Sequence, residues 1–67
     1  MTREAAINTA KAQGYGIRYS RNPKGYEIYF NYSDGSDSLE WTCNTYEEAL
    51  SKMESIGYSV AEILMNL

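Results

Sequence analysis

The residues best spaced for metal chemistry are Asp34-Gly35-Ser36-Asp37, two carboxylates and a hydroxyl within four positions. Such oxygens suit a hard cation. A calcium loop needs about twelve residues closed by a distal bidentate glutamate, and neither follows here, so a plain hairpin turn is the reading. Histidine is absent from the chain, which removes the commonest general base and the commonest metal ligand. Zinc would need several cysteines or histidines, and Cys43 stands alone. Cys43 alternates in phase with Leu39 and Trp41, as a small buried hydrophobe would, rather than standing out as a nucleophile. Gly14-Tyr15-Gly16 reads as a helix stop followed by a strand, and no phosphate-binding, dinucleotide or nucleophile-elbow motif occurs. The expectation is a protein with no catalytic residues, no cofactor and no metal.

Surfaces are left to carry the function. The net charge of −3 is unevenly spread. Residues 1–25 hold five bases and one acid, or +4, and residues 26–67 hold one base and eight acids, or −7. Split charge steers association with a partner of matching pattern, although solvated surface charge is the simpler reading. Seven tyrosines in 67 residues offer broad contact area with a polar tip, and they are also good strand formers. The chain is short enough for one domain and one small core, expected to supply only ~3–5 kcal/mol unless reinforced. With one cysteine there is no disulfide within it. Met-Thr-Arg-Glu-Ala opens no apolar run, so a cytoplasmic protein with no membrane segment is expected.

The elements that would position a surface are legible from pattern and punctuation. Thr2 caps a helix over 3–13 with a narrow stripe of Ala6, Ile7 and Ala10, and Gly14 fits its C-terminal stop. Tyr15 to Arg21 is a first strand. Asn22-Pro23-Lys24-Gly25 is a turn, and Tyr26 to Tyr32 alternates as the middle strand. Asp34-Gly35 signals a two-residue type I′ hairpin into a third strand at 37–43. These turns set Tyr19 opposite Ile28 and Ile17 opposite Phe30 in one hairpin. In the other they set Phe30 opposite Leu39 and Ile28 opposite Trp41. Thr45-Tyr46-Glu47-Glu48 is a capping box for a helix ending near Ile56, with Gly57 as its stop. Ser59 to Glu62 repeats the box ahead of a short third helix at about 60–66, burying Val60, Ile63, Leu64 and Leu67. That reading is preferred to a fourth strand at 58–64. The fold class is α+β, in the order α-β-β-β-α-α. It is a three-stranded antiparallel meander (order 1-2-3) with helices packed on one face.

Two candidate surfaces follow. On the outer sheet face these registers align Arg18, Tyr29 and Glu40 in a central row, a contact point unless it is ordinary cross-strand pairing. An acidic set joins Asp34, Asp37 and Glu40 of the second hairpin to Glu47 and Glu48, which also suit a helix N-terminus.

The α-β-β-β-α order and the length are similar to a double-stranded RNA-binding domain. That family places lysines at the start of its last helix, where this chain has Glu47 and Glu48, the wrong sign for phosphate. In size, element order and charge the chain also resembles small acidic phage-encoded inhibitors, including anti-CRISPR proteins, some of which present carboxylates where a target expects phosphate. That resemblance implies a non-catalytic protein-binding module, a phage-type inhibitor of anti-CRISPR or other anti-defence kind. Its protein partner would be a larger, basic, nucleic-acid-handling protein. Two alternatives stand beside it. One is a nucleic-acid-binding domain using Arg18, Arg21, Lys24 and Tyr29. The other is a small accessory domain that forms a homodimer through an edge strand or its open face.

Overall fold

The computed structural model describes residues 1–66. Five elements follow in chain order: α1 (Arg3–Gln13), β1 (Tyr15–Arg21), β2 (Lys24–Asn31), β3 (Asp37–Cys43) and α2 (Tyr46–Met65). The strands form one antiparallel sheet, order β1-β2-β3. Thr2 Oγ1 accepts from Ala5 N at 3.1 Å and opens α1. Gly14 closes it at φ 119°, a left-handed conformation that favours glycine. Thr45 Oγ1 accepts from Glu48 N at 3.1 Å, and the Glu48 carboxylate accepts from Asn44 N at 3.0 Å. The capping box therefore closes one residue upstream of the cap.

Among the described residues there are two helices where the sequence reads three. α2 runs unbroken from Tyr46 to Met65, through Gly57 and the second capping box. Gly57 does not stop it, because this glycine is buried where α1 crosses α2. A Cβ there would overlap the Ala6 carbonyl and come within 2.9 Å of Ala6 Cα. The missing side chain lets two backbones touch, and packing overrides the local stop signal. Leu67 lies outside the described residues.

Both hairpins differ from their expected register. β2 begins at Lys24, two residues early, and Asn22-Pro23, joined by a cis peptide bond, is the whole first connection. Tyr15 faces Phe30, Ile17 faces Ile28, and Arg21 faces Lys24. The shift is even, so each side chain keeps its face but changes partner. The second connection is Ser33-Asp34-Gly35, with Tyr32 N donating to Ser36 O at 2.8 Å. Type I′ needs positive φ at two residues, and here only Gly35 has it, at 90°. That odd shift sets Tyr29 opposite Leu39 and Asn31 opposite Asp37. A bulge then leaves Glu40 without a cross-strand partner and restores Ile28 to Trp41 and Tyr26 to Cys43.

Ala10, Ile28 and Met53 are fully buried and tie both helices to the sheet, with Ile7, Tyr15, Ile17, Cys43 and Ile56 packed around them. Ile28 and Met53 are the only large side chains wholly removed from solvent among the described residues. Aromatic contacts extend the same sheet face in both directions. Tyr15, Phe30 and Tyr32 stack edge to face at 4.8 and 5.0 Å. Tyr19, Tyr26 and Tyr46 follow at 5.4 and 5.5 Å. Most of the tyrosine excess is therefore structural.

Candidate functional site

The face of the sheet opposite this core is built from alternate residues of the three strands. Gly16 and Arg18 come from β1, Glu27, Tyr29 and Asn31 from β2, and Asp37, Leu39 and Thr42 from β3. Its centre is Tyr29, flanked in register by Gly16 and Leu39. The tyrosine ring lies across Gly16, close enough that a Cβ on that glycine would meet the ring and hydroxyl at 2.5 Å. Arg18 sits beside the ring, 5.2 Å from its centroid. The Arg18 side chain also bonds Glu27 at 2.9 Å and Asp37 at 3.5 Å. The guanidinium stays charged, held up chiefly by the hydrogen bond to Glu27. Tyr29 is thus fixed by a missing side chain beneath it and a cation beside it.

Leu39 stands next to Tyr29 and keeps half of its surface in solvent. With Ser20, Gly25, Glu27 and Thr42 it lines a cleft of about 260 Å³. Gly25 packs against the Cys43 carbonyl, and the lining holds one base, Lys24, and one acid, Glu27. An aliphatic side chain beside a fixed ring, edged by charge, is the arrangement of an interface centre with a polar rim.

The expected row Arg18, Tyr29, Glu40 is broken. Arg18 and Tyr29 are brought together on a diagonal, while Glu40 sits in the bulge and accepts from Ser38 Oγ at 2.7 Å. The expected acidic set is divided. Asp34 and Asp37 belong to the tip and first position of the β2–β3 hairpin, whereas Glu47 and Glu48 follow the far end of β3, a strand of seven residues or about 23 Å. Each acid also has local work. Asp34 accepts from Ser36 N at 2.9 Å and Ser36 Oγ at 2.6 Å, which pull its carboxyl below the ordinary range, the hydroxyl most. Glu47 accepts from Arg3 at 2.6 Å, and Glu48 caps α2. These bonds are exposed and leave free oxygens, so the hairpin remains acidic.

Leu39 was assigned by alternation to the core, and its place beside Tyr29 is what sequence reading missed. A three-residue loop at 33–35 would have signalled it, but Asp34-Gly35 imitates a two-residue turn. Cys43 is half-buried, and burial first, then Glu48, pushes its thiol up, away from nucleophilic use. Among the described residues no group of three metal-ligating side chains occurs, and no helix is long and apolar enough to cross a membrane. Comparison with family models, with curated proteins and with solved structures finds no match.

Proposed function

We propose that the chain is a non-catalytic protein-binding module that docks through the Tyr29–Leu39 face onto a basic surface of a larger nucleic-acid-handling protein. One observation carries this reading: the bulge at Glu40 holds Leu39 half-exposed beside a tyrosine that is itself fixed, at the centre of an acidic rim. Both helices contribute to the core on the other side of the sheet, and this leaves the docking face open. Arg18, Glu27, Asp34, Asp37 and Glu40 sum to 1 − 4 = −3, a charge that attracts a basic partner and speeds encounter. A phage-type inhibitor of an RNA-guided nuclease or another defence enzyme fits that chemistry, with carboxylates standing where the target expects phosphate. Its working compartment is the cytoplasm.

The test is capture from a bacterial lysate on the tagged chain, followed by cleavage assays on any nuclease captured. Asp34→Lys with Asp37→Lys should weaken capture and sharpen its salt sensitivity. Capture indifferent to both lysines would remove the acidic rim from the proposal.

A second reading has one observation of its own. Arg21 and Lys24 face each other at the first hairpin, and neither makes an ion pair among the described residues. Like charges in register repel, and a phosphate between them would relieve this. A gel shift at low salt with mixed DNA and RNA decides it, since a chain that leaves both unshifted is no nucleic-acid binder.

A further inference from the structure

β1 is an open edge of the sheet, with β2 on one side and no strand on the other among the described residues. Asn31 N donates to Gly14 O at 2.9 Å, which sets the phase of the β1–β2 ladder. Bonded and non-bonded pairs alternate along an antiparallel ladder. Gly16, Arg18 and Ser20 therefore bond β2, while the N–H and C=O groups of Tyr15, Ile17 and Tyr19 turn outward. None of these outward groups bonds another part of the chain among the described residues. The other edge is built differently. Tyr32 N donates to Ser36 O at 2.8 Å, so Asp37 and Leu39 turn their backbone outward, and after the bulge at Glu40 the next to do so is Thr42. The even spacing is broken there, and Asp37 and Glu40 add charge, both of which discourage pairing. β1 keeps seven residues in regular register, with no bulge and no proline. It is a template about 23 Å long for one more strand.

The charges say what kind of strand fits. Residues 1–25, which form α1, β1 and the first turn, carry the +4 of the chain. Arg3 and Arg18 are paired with carboxylates, but Lys11, Arg21 and Lys24 make no ion pair among the described residues. Lys11 lies in the last turn of α1, at the Tyr15 end of the edge, and Arg21 and Lys24 lie at its hairpin end. β1 itself contains no acid. A second copy would bring either the same arginines on its β1 or the broken spacing of its β3. Nucleic acid has no row of amides to complete the ladder.

We infer that the β1 edge takes up an extended acidic segment of a partner protein as an antiparallel fourth strand. Main-chain bonds to Tyr15, Ile17 and Tyr19 hold the segment, and carboxylates at its ends meet Lys11 on one side and Arg21 with Lys24 on the other. Such carboxylates also relieve the repulsion between Arg21 and Lys24, which face each other in register. The middle of the segment is apolar on its helix side, where it lies beside Ile17 and Tyr19, a tyrosine that is 51% exposed. One added strand buries less than a standard interface, so the binding is weak and salt-sensitive. Leu39 belongs to the strand at the far edge, so this uptake stands or falls independently of docking through the Tyr29–Leu39 face.

Fluorescence anisotropy on the whole chain tests this with a labelled peptide, Glu-Glu-Val-Thr-Val-Glu-Glu, blocked at both ends. With its valines on the helix side, their amides face the edge and the threonine amide faces away. The peptide should bind, weaken with salt, and bind at least about tenfold tighter than its counterpart with lysine in place of glutamate. N-methylation of both valines should abolish binding, and N-methylation of the threonine should preserve it. Tyr19→Pro removes an N–H that β2 does not use, so it should keep the circular dichroism of the parent and bind at least about tenfold more weakly than Tyr19→Thr. Leu39→Asp should bind the peptide like the parent. No binding at high micromolar concentration, equal binding of the lysine peptide, or equal binding of the two methylated peptides would each overturn the inference. So would a folded Tyr19→Pro chain that binds as tightly as Tyr19→Thr, or a loss on Leu39→Asp.

Discussion

Replacing Gly57 by alanine separates two physical readings of α2 by the sign of the effect. Helix propensity alone favours alanine over glycine at an interior position by about 1 kcal/mol. Nothing in the φ value opposes the change, since among the described residues only Gly14 and Gly35 take positive φ. The crossing does oppose it. The new Cβ would overlap the Ala6 carbonyl, which is backbone and cannot rotate away, and would lie 2.9 Å from Ala6 Cα. Restoring ordinary contact moves the helices apart by roughly 1–2 Å and opens packing around Ala6 and Ala10, both fully buried. Overpacking of this kind costs ~1–3 kcal/mol, and backbone against backbone belongs at the upper end. Net of the propensity gain, Gly57→Ala should lose about 2 kcal/mol, a large part of the ~3–5 kcal/mol such a core supplies. For a domain this size that is roughly 8–16 °C in melting temperature. Thermal and urea melts followed by circular dichroism at 222 nm measure it. Gly57→Asn, which a terminating glycine position would accept, should be worse than alanine. A Gly57→Ala protein as stable as its parent, or more stable, would refute the close crossing.

Two further perturbations address the sheet. Gly16→Ala puts a Cβ 2.5 Å from the end of the Tyr29 ring, a flexible side chain that can swing aside. The fold should survive with a loss within about 1 kcal/mol, while capture of a partner weakens because Tyr29 is no longer fixed; equal capture would show that its position is immaterial. Asp34→Ala should loosen the second hairpin near neutral pH. The folded Asp34 pKa is depressed below its ordinary 3.8 by the Ser36 bonds, so its contribution is full above that value and fades as pH falls through the folded pKa. Parent and variant should therefore differ in urea midpoint at pH 7 and converge in strong acid, and a constant difference across that range would contradict the hydrogen-bond origin.

Strand positions, the starts of α1 and α2 and the antiparallel strand order were legible because alternation, the caps at Thr2 and Thr45 and the turn residues agree locally. The helix ends and the registers were not. Gly57 carries a genuine stop signal, and only the Ala6 backbone against it, far away in sequence, explains why the helix continues. The first hairpin closes in two residues rather than four, and because that shift is even, the inward set of Tyr15, Ile17 and Ile28 survived the wrong pairing. The second shift is odd, yet the bulge at Glu40 cancels it after three pairs, so Trp41 and Cys43 keep their expected partners. Asp37, Ser38 and Leu39 change face, and Leu39 is the one apolar side chain among them. A bulge leaves no mark on the alternation of Leu39, Trp41 and Cys43, which is why the place of Leu39 beside Tyr29 could not be read from it. Arg18 and Tyr29 were found from pattern. Asp37 remains beside them and Asp34 stays at the hairpin tip, while Glu47 and Glu48 belong to the start of α2.

Leu39 is also the residue that decides the binding reading. It is half-exposed and makes no part of the core cluster, so Leu39→Asp should leave the fold intact. Tagged parent and Leu39→Asp chains, matched by circular dichroism and melting temperature, can be compared for capture from the same bacterial lysate by quantitative mass spectrometry. Docking through the Tyr29–Leu39 face predicts that the parent enriches a basic nucleic-acid-handling protein and that Leu39→Asp loses it at least about tenfold. Equal enrichment by the two chains, or no specific protein held by the parent, would contradict it.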